Sequence, residues 1–336
     1  MNLIQKYIDF FIKRPIVISF GRYVLLSYGL IIAITMFFGY FTASLMLQIF
    51  QVNNGVTKSV ILITIPSLII LSRILPLFSD SNLFKKPGQA FKNQWYTYLG
   101  GFLGIWISGL FIVIYFKESI LRSSDSLFLI SPLFHAIGRT ACINYGCCSI
   151  KVKEENEKTR FYFLYSNPIT RAVRFFNMKN QKIYPVHIYE MFGNVLISFL
   201  LVILLFFVHY HGIISATYLF SYGLLRLILE PKRNEVKKIF LAKYSFYQLI
   251  LTALLWIMGI GYLIATFTYK VPIIMIFNKG YIAYSLSLIP ILLPMCILAF
   301  VLFGVNKIEN KKCKFHAQCA NNPYLTSACS GSSNNA

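Results

Sequence analysis

The stretch IYEMFGNVLISFLLVILLFFV, residues 188–208, decides the class of fold. It is an apolar run in which Glu190 is the one side chain charged at neutral pH. A helix needs about 20 mainly apolar residues to cross the hydrocarbon core of a bilayer. The stretch therefore predicts a membrane-spanning helix with an acidic residue near one end.

The rest of the chain repeats this pattern. Of its 336 residues, 57% are hydrophobic and 13% are charged, whereas soluble domains carry about 25% charged residues. The first apolar run is far longer than the core of a signal peptide, so we expect it to stay in the membrane. Further spans are predicted near 24–48, 60–78, 98–116, 127–147, 212–230, 246–267 and 282–304. The sequence thus predicts an all-α polytopic membrane protein, a bundle of seven to eight transmembrane helices.

Two polar segments interrupt or follow this bundle. Residues 149–187 form a polar head insertion between helices four and five of the predicted transmembrane domain, which covers residues 1–304. A loop of this length in a compact protein is usually functional or disordered. Residues 305–336 are a low-complexity polar tail, which we expect to be disordered.

The chain is strongly basic, with 32 Lys and Arg against 11 acids and a net charge of +21. Most of these cations lie in alternate loops, on the side of the N-terminus, and the positive-inside rule would place that side in the cytoplasm. Attraction to anionic headgroups of membrane lipid is the second explanation. The basic residues form no recognisable nucleic-acid-binding motif, so nucleic acid is not a predicted partner.

Charged residues inside the apolar spans are costly unless they are paired or hydrated. Four stand out, namely Arg139, Glu190, Arg226 and Glu230, with Arg73 and His135 of lower weight. One interpretation is structural: Arg226 and Glu230 are four residues apart on one helix and form an ion pair, and Arg139 and Glu190 form another. The alternative is a positive pocket, because the planar guanidinium of arginine suits a phosphate group.

Cysteines and glycines cluster near these residues. Within IGRTACINYGCC, residues 137–148, the thiols of Cys142, Cys147 and Cys148 suggest a metal or redox site, but on a helix they point in different directions. No metal and no cofactor are predicted. The glycines in YLGGFLG, residues 98–104, allow either close helix packing or room for lipid chains.

Five motifs together resemble one known family. They are RPIVISFGRYVLLSYGL (14–30), YLGGFLG (98–104), IGRTACINYGCC (137–148), YPVHIYE (184–190) and YGLLRLILEPKR (222–233). They occur in the order seen in prolipoprotein diacylglyceryl transferases, and the resemblance spans most of residues 14–260. It implies about seven membrane helices with a polar head region between the fourth and the fifth.

The resemblance also implies an activity. Enzymes of this family transfer the diacylglyceryl group of phosphatidylglycerol to the lipobox cysteine of a prolipoprotein signal peptide, forming a thioether and releasing glycerol-1-phosphate. It implies a multi-pass protein of the bacterial plasma (inner) membrane with its active site near the extracytoplasmic face. This orientation is opposite to the one that the charge distribution favours, and we follow the resemblance.

The motifs assign roles to individual residues. By resemblance Arg139 binds the phosphate, and Arg226 acts with Glu230 as its partner. The substrate-binding residues implied by the matching motifs are Tyr28, Gly100, Gly101, Gly138, Tyr189, Glu190 and Arg233.

The chain departs from the family where a base is expected. Leu99 and Tyr184 stand where the family has histidine. We predict that His187 is the catalytic base, because Glu190 is one helical turn away and a nearby carboxylate raises the basicity of an imidazole. His135 and Tyr184 are the alternatives. A second hypothesis for the whole protein is a phospholipid-binding homologue that is non-catalytic or uses another acceptor.

Overall fold

The structure is a computed structural model that describes residues 3–20, 23–79, 98–147, 161–174, 177–233, 239–241 and 244–307. The predicted disordered tail beyond Lys307 lies outside the described residues, as do Cys148 and the first part of the head insertion.

Helices make up most of the described chain. In chain order they are α1 (Leu3–Ile12), α2 (Ser27–Ile49), α3 (Asn54–Ser59), α4 (Ile65–Ser79), α5 (Tyr98–Tyr115), α6 (Ile120–Phe128), α7 (Ser131–Tyr145), α8 (Arg171–Arg174), α9 (Val186–Leu205), α10 (Ile213–Leu229), α11 (Phe246–Tyr269), α12 (Lys279–Ser287) and α13 (Ile289–Gly304). A π turn at Val60–Thr64 joins α3 to α4, and a 3₁₀ turn at Glu230–Lys232 follows α10.

Short strands form three small antiparallel sheets. The strands are β1 (Ile16–Phe20), β2 (Tyr23–Leu26), β3 (Phe163–Leu164), β4 (Lys182–Ile183), β5 (Ile239–Leu241), β6 (Tyr244–Ser245) and β7 (Val305–Lys307). The first sheet has the order β1-β2-β7, with Tyr23 opposite Lys307 and Leu25 opposite Val305. The end of α13 is therefore joined to the segment just before α2.

The predicted all-α polytopic membrane fold is confirmed. Among the described residues, five helical segments are long and apolar enough to cross a membrane, or seven if each of two bent helix pairs counts as one span; α5 supplies a shorter apolar helix. The predicted span 127–147 begins at a bend of 43° between α6 and α7. The predicted span 282–304 contains a bend of 51° between α12 and α13. In both pairs the second helix has proline in its first turn, where that residue favours a new helix start.

Helices α4 and α5 pack closely through glycine. A side chain at Gly100 would overlap the backbone carbonyl of Leu71, and one at Gly104 would lie 2.6 Å from the carbonyl oxygen of Ser67. Small residues allow two membrane helices to approach in this way. The packing interpretation of these two glycines is confirmed, while Gly101 faces a cavity described below.

The N-terminal helix α1 has no counterpart in the predicted spans. Its buried residues Ile8 and Ile12 pack with Phe163 and Tyr165 of the head. Burial raises the pKa of the Tyr165 phenol, whose hydroxyl donates to the backbone carbonyl of Ile143, 2.7 Å away. Helix α1 therefore ties the described part of the head to the end of α7.

The opposite end of the bundle is held by Asp125, a fully buried residue of α6. Its Oδ2 accepts from the backbone N–H of Gly212 at 2.7 Å, and its Oδ1 accepts from the N–H of Ser215 at 2.9 Å and from the hydroxyl of Ser215 at 2.5 Å. The first N–H groups of a helix have no partner within the helix. The Asp125 carboxylate, on a neighbouring helix, accepts the hydrogen bonds of two such N–H groups at the start of α10.

Candidate functional site

The site is built around Glu190, whose side chain is fully buried near the start of α9. Helix α9 begins at Val186, directly after Pro185, so Glu190 lies at the end of the bundle that carries the head. Helix α7 runs toward this end and α10 finishes there, which brings Arg139 and Arg226 to the same level. An isolated carboxylate at such depth would cost several kcal/mol, roughly 2.5–3.5 on insertion scales.

Three arginines surround this carboxylate. Arg139 Nη2 lies 2.6 Å from Glu190 Oε1, which confirms the predicted pair. Arg226 Nη1 lies 3.5 Å from the same oxygen. Arg233, from the end of the 3₁₀ turn, donates to Glu190 Oε2. We call these three arginines with Glu190 the arginine cluster.

The arginine cluster concentrates positive charge. Its three guanidinium groups are buried, and Glu230, also buried, is the residue that follows α10. Within the described part of the chain, three guanidinium groups thus lie near the two buried carboxylates Glu190 and Glu230. Buried charges need compensating partners, and guanidinium groups bind phosphate in a bidentate geometry. The arrangement is therefore suited to an anionic ligand.

Arg226 has a different environment from the one expected. Besides its contact with Glu190, its Nη2 donates to Oε1 of Gln248 in α11 at 2.9 Å. Because α10 ends at Leu229, Glu230 belongs to the 3₁₀ turn and not to the same helix as Arg226. The ion pair predicted between Arg226 and Glu230 stays a prediction. Gln248 is a site residue that sequence reasoning missed, since nothing marks a neutral amide at the start of an apolar span.

An apolar cavity of about 430 Å³ adjoins the arginine cluster. Its walls come from helices α2 to α7 together with α10, α11 and α13, and most of its lining side chains are apolar. Arg139, His135 and Cys142 of α7 are part of the lining. Arg139 thus belongs both to the charged cluster and to the apolar cavity, so the two features form one site.

The family comparison agrees with this geometry. The family model described as prolipoprotein diacylglyceryl transferase matches residues 15–265, a range that contains the whole arginine cluster and most of the cavity wall. The chain belongs to the prolipoprotein diacylglyceryl transferase family. No curated protein matches the chain. Membership in this transferase family and the apolar helices make the chain a multi-pass membrane protein of lipoprotein biosynthesis.

Two of the substrate-binding residues expected for a diacylglyceryl transferase line the cavity with Arg139. Tyr28 lies in the first turn of α2, with its ring centroid 5.2 Å from that of Tyr145, and Gly101 lies on α5. Gly100, by contrast, faces α4. A Cβ at Gly138 would make an ordinary contact, 3.8 Å from Thr35 Cγ2, so close packing does not require this glycine.

The expected base of this transferase, His187, is buried on the head side of Glu190. Its Nε2 is 2.8 Å from the backbone carbonyl oxygen of Cys147, and its ring stacks on Phe163. Tyr184 stacks on Tyr189, with ring centroids 5.7 Å apart. The catalytic role of His187 stays a prediction.

Two of the three cysteines of the motif at residues 137–148 lie in the described part of the chain. Cys142 and Cys147 are buried, and Arg139 Nη1 lies 3.7 Å from Sγ of Cys142. Within the described ranges no group of three His, Cys, Asp or Glu side chains is placed to hold a metal ion. Cys142 is a wall residue of the cavity.

Proposed function

We propose that this protein transfers the diacylglyceryl group of phosphatidylglycerol to the lipobox cysteine of a prolipoprotein, releasing glycerol-1-phosphate. The observation that carries the proposal is the junction of the arginine cluster with the apolar cavity at Arg139. An anionic phospholipid matches this site, because its charged headgroup suits the arginine cluster and its apolar chains suit the cavity. Family membership supports diacylglyceryl transfer, and the site supports a phospholipid donor.

The phosphate of the donor is proposed to bind Arg139 and Arg226. Both side chains contact Oε1 of Glu190, so a phosphate oxygen that replaces or joins this carboxylate meets guanidinium groups already directed at one point. Arg233 holds the other carboxylate oxygen and positions Glu190. Tyr28 and Gly101 border the space for the lipid, while Gly100 packs against α4. The substrate-binding roles of Gly138 and Tyr189 stay predictions.

The chemistry follows from this arrangement. The thiolate of the acceptor attacks the glyceryl carbon attached to the phosphate oxygen, a carbon–sulfur bond forms, and the carbon–oxygen bond breaks. Negative charge develops on the departing phosphate, and donors fixed in advance stabilise that charge. Arg139 and Arg226 are the proposed donors, with Glu230 as the proposed partner of Arg226. The thiol must lose its proton, because a free cysteine near pKa 8.5 is mostly protonated at neutral pH.

The head end of the bundle is the proposed side of entry for the acceptor. Arg139, Glu190 and the described head segments are all at this end. For a bacterial plasma (inner) membrane protein that receives exported precursors, this end faces the extracytoplasmic side.

The test is a transfer reaction with defined components. Purified protein is incubated with phosphatidylglycerol vesicles and a synthetic peptide that contains a lipobox cysteine. We expect the thioether peptide and glycerol-1-phosphate in equal amounts. Phosphatidylcholine vesicles and a peptide with serine for cysteine are the controls. Binding of phosphatidylglycerol without any thioether product would support the non-catalytic alternative instead.

A further inference from the structure

His135 occupies a position that the roles assigned so far do not use. It lies on α7, four residues before Arg139, so the two side chains share one face of the helix. Both line the apolar cavity. The His135 side chain is 17% exposed, and its Nε2 is 3.8 Å from Oε1 of Glu190.

The other histidines of the described chain are placed elsewhere. His187 contacts the backbone carbonyl of Cys147 on the head side. His211 lies beside Asp125, with Nδ1 3.3 Å from Oδ2, at the opposite end of the bundle. His209 is exposed near the same end. Among the described histidines, His135 is the one on the cavity wall.

We propose that His135, and not His187, is the general base that deprotonates the acceptor thiol, an inference that rests on the proposed transfer reaction. The imidazole takes the proton from sulfur as the sulfur attacks the glyceryl carbon. The electron pair of the breaking carbon–oxygen bond leaves with the phosphate, which Arg139 holds one helical turn away. The proton then passes from the imidazolium to the released phosphate or to water.

The surroundings of His135 combine one carboxylate with three guanidinium groups. The Glu190 carboxylate, 3.8 Å from Nε2, favours the imidazolium, whereas burial and the guanidinium groups of the arginine cluster disfavour it until a bound phosphate offsets their charge. The ring lies 5.0 Å from that of Tyr222, which limits its orientation. The titratable and charged groups that face it from its own and neighbouring elements are Arg139, Cys142, Glu190, Tyr222, Arg226 and Arg233.

The experiment compares His135→Gln with the wild-type protein in the vesicle assay. Glutamine keeps hydrogen-bonding capacity but takes up no proton at neutral pH. Loss of a general base typically costs 100- to 10,000-fold, so we expect kcat to fall roughly 100- to 1,000-fold with KM for phosphatidylglycerol within about twofold. The exposed His209→Gln is the matched control, with unchanged kcat.

Two further readouts separate a base from a structural histidine. Without the base, the rate follows the thiolate fraction and rises about tenfold per pH unit below pH 8.5, whereas the wild-type rate depends less on pH. Added imidazole should restore part of the activity of His135→Ala. A large loss of kcat with an unchanged pH dependence and no rescue by imidazole would overturn the role.

The outcomes distinguish the two proposals. Absence of transfer by the wild-type protein overturns the proposed function and this inference together. Transfer by the wild type with full activity of His135→Gln overturns the inference alone. If His187→Ala shows the steep pH dependence and the rescue by imidazole while His135→Ala does not, the base is His187 and the proposal is wrong.

Discussion

Glu190 and Asp125 are two fully buried carboxylates within one membrane bundle, and their surroundings are opposite. Asp125 accepts from the backbone N–H groups of Gly212 and Ser215 and from the Ser215 hydroxyl, and its Oδ2 lies 3.3 Å from Nδ1 of His211. Glu190 is surrounded by three guanidinium groups from different parts of the chain. The first carboxylate completes a helix end, whereas the second brings together guanidinium groups from three places in the described chain.

This difference suggests a structural role for Asp125 and a functional role for Glu190. Asp125 is bonded to the start of α10 and contacts His211, so we expect it to stabilise the fold. Guanidinium groups at the edge of an apolar cavity favour an additional anion, so under the proposed function Glu190 organises a binding site. Substitutions at the two carboxylates should therefore affect different measured quantities.

The largest effect is expected at Arg139. We predict that Arg139→Ala lowers transfer roughly 100- to 1,000-fold, the usual cost of removing one donor to a developing oxyanion. Initial rates in the vesicle assay measure it. Arg122→Ala is the control, because Arg122 is a part-exposed arginine that pairs with Glu118 of its own segment, and we expect its rate to be unchanged. Equal rates for the two variants would exclude phosphate binding by Arg139.

The next effect is expected at Glu190. We predict that Glu190→Gln lowers transfer roughly 10- to 100-fold, because residues that orient the groups contacting a ligand commonly contribute this much. The arginines would remain but would lose the charge that holds them together. Initial rates and binding of phosphatidylglycerol measure the loss. An active variant with normal binding would show that the carboxylate is not needed to order the arginine cluster.

The matching change at Asp125 should alter stability instead. We predict that Asp125→Asn lowers the free energy of unfolding by about 1–3 kcal/mol, because an amide N–H₂ would then face backbone N–H donors of α10. Thermal unfolding in detergent gives the loss, and the transfer rate per folded molecule at low temperature should stay near that of the wild type. If Asp125→Asn lowered the transfer rate without lowering the free energy of unfolding, Asp125 would not have the purely structural role that distinguishes it from Glu190.

The smallest effect is expected at Ser215. Its hydroxyl donates to Asp125, while its backbone N–H makes a second bond to the same oxygen. We predict that Ser215→Ala lowers the free energy of unfolding by about 0.5–1.5 kcal/mol, the net value of one hydrogen bond, with no change in transfer. A stability loss as large as that of Asp125→Asn would mean that the hydroxyl, and not the backbone, carries the interaction.

The sequence predicts the spans better than their shapes. Apolar runs long enough to cross a membrane can be recognised directly in the sequence, and each predicted span contains a helix. The bend before Pro132 was missed because apolar residues continue on both sides of it. Helix α1 was missed because its apolar face is short and is buried by the head and not by lipid.

The sequence singles out the members of the arginine cluster and predicts the pair of Arg139 with Glu190, but it does not predict the full arrangement. Arg139, Glu190 and Arg226 stand out because charges are rare in membrane spans. Their convergence on one carboxylate depends on how α7, α9 and α10 pack, and no spacing along the chain encodes it. Asp125 and His211 are 86 positions apart, so their contact likewise has no signal in the sequence.

The cavity wall includes a residue from beyond the matched family range. Phe303 of α13 borders the cavity that Tyr28 lines from the start of α2, and the helices meet where a side chain at Gly29 would overlap the backbone of Gly304. A chain ending at residue 265 would keep every arginine of the cluster and lose this part of the wall. Under the proposed function, we expect headgroup recognition to depend on the family core and preference for acyl-chain length to depend partly on the C-terminal helices.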